Sequence, residues 1–115
     1  MASLRPVTEA VPQSFAYELR ELPPGRVPFR RWRFELWHGA HLLRTGWRIS
    51  PHDAERALRT AASRRSHDLI GVKPLRPENT RALEPFKPGA TVTLDCGAVR
   101  CVLTPRRLDE QSAAA

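Results

Sequence analysis

Arginine is the residue type in this 115-residue sequence that is numerous and clustered enough to form a binding site for anions. Its guanidinium group binds phosphate and carboxylate groups through two parallel hydrogen bonds. The chain holds 17 Arg and 2 Lys, and its formal net charge is +7. Residues 26–65 contain ten of the arginines and three carboxylates, so this stretch carries the whole net charge. Such clustering is typical of proteins that bind polyanions.

Five residues of this stretch are the predicted nucleic-acid-binding residues, because strand alternation places them on one face of a hairpin. They are Arg31, Arg33, Arg44, Arg48 and Trp37. The four arginines would contact phosphates, and the exposed Trp could stack on a base. The alternative is a solvated sheet face, or a face covered by another element such as the first strand.

Two His and two Cys raise the possibility of a metal site. His38 and His41 flank one tight turn, and Cys96 and Cys101 flank another, so a Cys₂His₂ zinc site would need the two turns to meet. The sequence leaves open whether they do. Because both predicted hairpins place these residues on core faces, where Cys is an ordinary small hydrophobic residue, we expect no metal. We expect no disulfide either, because Cys96 and Cys101 lie diagonally, which fits S–S geometry poorly, and the absence of a secretory signal indicates a reducing compartment.

Catalytic motifs are not evident in the sequence. It has no Ser in a Gly-flanked elbow and no Gly-rich phosphate loop, and its acidic residues are scattered, so a non-enzymatic protein without a cofactor is predicted. No apolar run is long enough for a membrane span, and no secretory signal is recognisable, so we expect a cytoplasmic protein. The preference for Arg over Lys, with 11 Pro, favours a GC-rich bacterium or its phage as the source.

Two runs, residues 28–38 and 41–49, flank Gly39-Ala40 and predict the hairpin that carries the arginines. Gly at the first position of a two-residue loop suits a type II′ turn, and the turn fixes the register. The predicted pairs on the apolar face are Trp32–Trp47, Phe34–Thr45, Leu36–Leu43 and His38–His41. The predicted pairs on the opposite face are Trp37–Leu42, Glu35–Arg44, Arg33–Gly46 and Arg31–Arg48.

A helix is predicted to follow this hairpin. Ser50 is its N-cap, Pro51 stands at the first helical position, and Asp53 completes a variant of the capping box. An apolar stripe at helical spacing contains Ala54, Ala57, Leu58 and Ala61. The helix is predicted to end at His67-Asp68, and residues 69–72 are predicted to form a short strand.

The remaining elements are strands joined by loops. Apolar and polar side chains alternate over residues 14–22, which predicts a half-buried strand before the first hairpin. Residues 74–89 hold four Pro and predict a loop with one helical turn near 79–83, and a second hairpin spans 90–104 about Gly97-Ala98. The predicted register pairs Asp95 with Arg100 across the two strands of this hairpin. Its predicted apolar face contains Val92, Leu94, Cys96, Val99, Cys101 and Leu103.

These elements predict an α+β fold, an antiparallel sheet of five to six strands built from two hairpins, with one helix packed on one face. The predicted domain spans residues 13–105 between flexible tails at 1–12 and 106–115.

The strand–strand–helix unit over residues 29–65 resembles the arm-type DNA-binding domains of tyrosine recombinases. The residues that carry the resemblance are Trp32, Phe34, Gly39, Trp47, Ala54 and Ala57. Those domains lay a small sheet into the major groove of DNA and back it with a helix, so the resemblance implies a DNA-binding hairpin. It covers about a third of the chain, and no recombinase catalytic region is recognisable in the remainder.

Together, these features predict a small nucleic-acid-binding protein that contacts mainly phosphates, with weak sequence preference. The alternative is an adaptor or assembly subunit of a larger bacterial or phage complex. It would present the same Arg face to an acidic protein partner, or use Trp37 and Leu42 as an exposed anchor. A zinc-stabilised mini-domain is a third possibility, compatible with either.

Overall fold

A computed structural model describes residues 10–74 and 76–106 of the chain. In these ranges one six-stranded sheet is covered on one face by a single helix, which confirms the predicted α+β class and the packing of the helix on the sheet. The elements in chain order are β1 (Val11–Glu21), β2 (Trp32–His38), β3 (His41–Arg48), α1 (Pro51–Ile70), β4 (Arg81–Ala82), β5 (Val92–Asp95) and β6 (Val99–Pro105).

The strands lie in the order β3-β2-β1-β6-β5-β4, and β1 pairs with β6 in parallel while the other neighbours are antiparallel. The prediction of a purely antiparallel sheet is therefore wrong where β1 meets the second hairpin. Alternation indicates which face of a strand is buried, but it does not give the direction in which two strands distant in sequence pair. The connection through α1 brings β6 alongside β1 in the same direction.

Strand alternation correctly identified the buried residues of β1 and of the second hairpin. Phe15, Tyr17 and Leu19 are buried, and so is every residue of the predicted apolar face of β5 and β6. The predicted pairing of Asp95 with Arg100 is also confirmed. Each fully buried aliphatic side chain in this core contributes about 1.5–3 kcal/mol to stability.

The start of α1 is confirmed in detail. The Ser50 Oγ accepts a hydrogen bond from the Asp53 backbone N–H at 3.1 Å, and Pro51 occupies the first turn, where a missing N–H costs nothing. The helix buries Ala54, Leu58 and, further along, Ala62 against the sheet. Small Ala side chains on this stripe allow the helix to pack closely on the strands.

The predicted end of the helix is wrong, and so is the short strand over residues 69–72. The helix continues to Ile70, and Gly71 ends it in the left-handed region with φ of +74°, where its N–H donates to the Asp68 carbonyl at 3.1 Å. A Gly in this conformation is the common C-terminal helix signal. His67 is buried within the last turns, with its Nδ1 atom 2.7 Å from the Ser63 carbonyl oxygen.

The Pro-rich connection after α1 contains a strand rather than the predicted helical turn. Arg81 and Ala82 form β4, which pairs with Asp95 and Leu94 of β5. At the chain ends, β1 begins at Val11, inside the segment predicted as a tail. Residues 1–9 and 107–115 of the predicted tails lie outside the described residues. In the described part of the chain, no helix is long and apolar enough to cross a membrane.

Candidate nucleic-acid interface

The turn of the β2–β3 hairpin matches its prediction. Gly39 has φ of +62°, and no non-Gly residue in the described ranges has positive φ, so Ala40 takes the negative φ that a type II′ turn requires. The predicted pairs nearest the turn, His38–His41 and Trp37–Leu42, are confirmed.

Beyond these two pairs a β-bulge shifts the register of the hairpin. The irregularity lies between Leu36 and Trp37, and Leu43 is the extra residue on β3, where it packs against the core. Each side chain of β3 after the bulge therefore faces the opposite side of the sheet from the one predicted. The observed pairs are Leu36–Arg44, Glu35–Thr45, Phe34–Gly46, Arg33–Trp47 and Trp32–Arg48.

The bulge places the smallest residue of β3 over a large ring. A Cβ atom at Gly46 would lie 3.0 Å from the ring of Phe34, so this pairing leaves little room for a side chain. Because alternation alone carries no sign of a bulge, six predicted pairs are wrong. They are Leu36–Leu43, Phe34–Thr45, Trp32–Trp47, Glu35–Arg44, Arg33–Gly46 and Arg31–Arg48.

The five predicted binding residues are consequently not on one face. Arg33 and Trp37 lie on the face of the sheet opposite the helix, here called the helix-free face, whereas Arg44 and Arg48 pair with core residues and lie on the helix side. Arg31 precedes β2, and its Nη2 donates to the Pro23 carbonyl at 3.3 Å. The prediction of a single basic hairpin face is wrong in this respect.

On the helix-free face, Glu35 organises the side chains around it. The residue is only 9% exposed, and its carboxylate accepts hydrogen bonds from Arg33 Nε at 2.9 Å and from Trp37 Nε1 at 2.8 Å. The Arg106 guanidinium lies 3.4 Å from the centroid of the Trp37 ring. Arg33 is thus held by a carboxylate. Trp37 is only partly exposed, its indole N–H is bonded to Glu35, and one face of its ring is covered by a cation, so little of the ring is left for a base.

A groove of about 760 Å³ lies on the other side of the hairpin, between α1 and β3. Six arginines and three carboxylates line this space, which we call the arginine groove, and its apolar part includes Phe34 and Leu43. The lining arginines are Arg44, Arg48, Arg56, Arg59, Arg64 and Arg65. The lining carboxylates are Asp53, Asp68 and Glu78.

Two of these arginines form ion pairs with carboxylates of the protein. Arg59 pairs with Glu55 at 3.3 Å and donates to the Thr80 carbonyl at 3.1 Å, and Arg65 lies 3.6 Å from Asp68. The other four form no ion pair with any residue in the described part of the chain. These four are Arg44, Arg48, Arg56 and Arg64.

The four arginines stand in two pairs, one on each wall of the groove. Arg44 and Arg48 are four residues apart on one side of β3, which corresponds to about 13 Å. Arg56 and Arg64 are eight residues apart on α1, which corresponds to about 12 Å. Charges spread over this length suit an extended polyanion better than a single small anion.

Arg56 and Arg64 were not among the predicted site residues. Their signal in the sequence is helical spacing, because Arg56, Thr60 and Arg64 recur every four residues and fall on one side of the helix, and all three line the groove. The sequence does not reveal that this side faces β3, since that depends on the bulge and on the placement of the helix.

The two Cys lie at buried core positions, as predicted. Both are free thiols, and their Sγ atoms are 3.8 Å apart. The Cys96 thiol donates this hydrogen bond to the Cys101 sulfur, which raises the pKa of Cys96 and lowers that of Cys101. No cluster of three or more potential metal ligands occurs within residues 10–74 and 76–106. The metal content of the protein stays a prediction.

Comparison of the chain with protein-family models, curated proteins and solved structures returns no match.

Proposed function

We propose that this protein is a small, non-enzymatic nucleic-acid-binding protein that holds a phosphate backbone in the arginine groove. The observation that carries the proposal is that four arginines without an ion pair in the described part of the chain face one open groove from two walls. Arg44 and Arg48 keep their predicted role, and Arg56 and Arg64 replace Arg31 and Arg33.

The chemistry of the groove favours phosphate contacts over base recognition. Guanidinium groups form forked hydrogen bonds with phosphate oxygens, and release of counterions from a nucleic acid adds a large, salt-dependent contribution to binding. The Arg48 guanidinium lies 5.4 Å from the centroid of the Phe34 ring, and this contact restricts its motion before a ligand binds. We therefore expect affinity with weak sequence preference.

The salt dependence of binding tests this proposal. If four arginines each neutralise one phosphate, the logarithm of the association constant for a random-sequence duplex should fall with the logarithm of salt concentration with a slope of about −3.6. The double variant Arg56→Gln/Arg64→Gln should reduce the slope to about −1.8 and weaken all sequences alike. Fluorescence anisotropy between 50 and 200 mM salt, a range of about fourfold, suits this measurement.

A matched control removes the same charge elsewhere. Lys87 and Arg100 are exposed and do not line the groove, so Lys87→Gln/Arg100→Gln lowers the net charge equally. This control should retain most of the wild-type slope. Equal slopes in the two double variants would mean that net charge alone drives binding, and would overturn the role of the groove.

The adaptor hypothesis remains the second candidate, favoured by the exposure of Leu42 on the edge strand β3, where 42% of the residue is accessible. It predicts weak nucleic-acid binding that the arginine variants leave unchanged, together with stable binding of an acidic protein.

A further inference from the structure

Two exposed aromatic rings lie together at the open end of the β2–β3 hairpin. Phe29 and Trp47 have ring centroids 6.2 Å apart and an interplanar angle of 24°, so they are stacked on each other. Phe29 is 45% exposed and Trp47 is 47% exposed. We call this pair the aromatic platform.

The aromatic platform and the arginine groove meet at one edge of the sheet. β3 is an edge strand, and its consecutive residues Trp47 and Arg48 face opposite sides, with Trp47 on the helix-free face and Arg48 lining the groove. The Arg48 Nη1 donates to the carbonyl of Trp47 at 2.8 Å, which keeps the guanidinium close to this edge. A ligand that crosses the edge can therefore contact cations and an aromatic face together.

We propose that the ligand is single-stranded nucleic acid, with phosphates in the arginine groove and at least one base stacked on the aromatic platform. This inference rests on the proposed function and names its substrate class. In a duplex the bases are paired and stacked inside, so their faces cannot reach Trp47 while the backbone lies in the groove. In a single strand, bases and phosphates are accessible together, and every base has a face that stacks on an aromatic ring.

The surrounding charge favours this ligand over a second copy of the chain. Arg48, which lies beside the platform in sequence, has no ion pair in the described part of the chain, whereas Arg30, next to Phe29, is 79% exposed and lies 3.6 Å from the Glu21 carboxylate. Two copies that met through this patch would bring like charges together, each with a formal net charge of +7. A nucleic acid brings both the complementary charge and the planar apolar surface.

The test compares a 20-nucleotide oligothymidine strand with a 20-base-pair random-sequence duplex, using wild-type protein and the Trp47→Ala variant. Loss of stacking should weaken single-strand binding about 5- to 150-fold and leave the salt slope unchanged. Duplex binding should change less than twofold, and Trp47→Phe should recover most of the single-strand affinity. Phe29→Ala, which alters a residue outside the strands, should act in the same direction as Trp47→Ala.

The control is Leu42→Ala, which truncates another exposed apolar side chain of β3 and should leave single-strand binding unchanged. Equal losses for strand and duplex, or none with Trp47→Ala and Phe29→Ala, would overturn the stacking proposal. Self-association of the wild type that Trp47→Ala abolishes, measured by sedimentation, would also overturn it. The proposed function fails separately, if neither nucleic acid binds or if Arg56→Gln/Arg64→Gln leaves both affinities intact.

Discussion

Tyr17 shows how a single side chain connects distant parts of this fold. Its hydroxyl donates to the Ala90 carbonyl at 2.6 Å and accepts from the Gly89 N–H at 3.2 Å, so it links the central strand β1 to the loop before β5. Burial raises the pKa of Tyr17 above its ordinary value of 10.0, although the backbone hydrogen bonds act in the opposite direction. The alternation of residues 14–22 predicts that Tyr17 is buried, but partners more than 70 residues away leave no local signal.

Tyr17→Phe should destabilise the protein by about 0.5–1.5 kcal/mol at neutral pH, because the part-buried hydrogen bonds of the hydroxyl to Gly89 and Ala90 are lost. The wild type should lose this advantage at alkaline pH. The unfolded state releases the Tyr17 proton near pH 10 and the folded state retains it to higher pH, so the stability that the group contributes falls as pH rises through that interval. Urea unfolding of both proteins at pH 7, 9, 10 and 11 measures the difference, and equal pH profiles would contradict the prediction.

The sequence predicts one end of α1 better than the other. Ser50 and Pro51 predict its start correctly, whereas the end predicted from the polar pair at residues 67–68 is wrong. The decisive residue is Gly71, whose φ of +74° is accessible to Gly at little cost. The helix therefore runs two residues beyond its predicted end, and Arg65 and Asp68 lie within it and line the arginine groove.

Substitution of Gly71 tests this helix end. Gly71→Ala should destabilise the protein by about 1–2 kcal/mol, because a Cβ atom is disfavoured in the left-handed region. Space is not the cause, since a Cβ atom at this position would meet no other atom within 4 Å. Gly71→Asn should cost less, as Asn tolerates the conformation. Thermal and urea unfolding compare the three proteins, and equal stability of the Ala variant would contradict the helix end described above.

The register of the β2–β3 hairpin is only partly predictable from the sequence. Its turn and the two pairs beside it follow from Gly39-Ala40, but the bulge at Leu36/Trp37 reverses the facing of β3 beyond it. The bulge is stabilised by packing, because it places Leu43 against the core and Gly46 over Phe34. An alternating sequence pattern shows neither contact. As a result, the sequence predicts which stretch is basic but not which arginines share a surface.

At the scale of the whole molecule, the fold gathers a stretch of charged sequence at one end of the sheet and on the helix beside it. Residues 26–65 carry the net charge of the chain, and they form the β2–β3 hairpin and most of α1, which enclose the arginine groove. The second hairpin extends the sheet beyond β1, at the end away from β3. The parallel pairing of β1 with β6 makes the sheet continuous, and no local pattern predicts it.

This arrangement separates the kinetic effects of the two parts of the proposed interface. Charges act over distance and mainly raise the association rate, whereas close contacts mainly slow dissociation. Arg56→Glu/Arg64→Glu should therefore lower the association rate for a single strand by about tenfold or more at low salt and reduce its dependence on ionic strength. Trp47→Ala should leave the association rate within about threefold and raise the dissociation rate. Stopped-flow measurements at two salt concentrations distinguish these effects, with Lys87→Glu/Arg100→Glu as the charge-matched control. If that control slowed association as much as the groove variant, the net charge of the molecule rather than the arginine groove would attract the ligand.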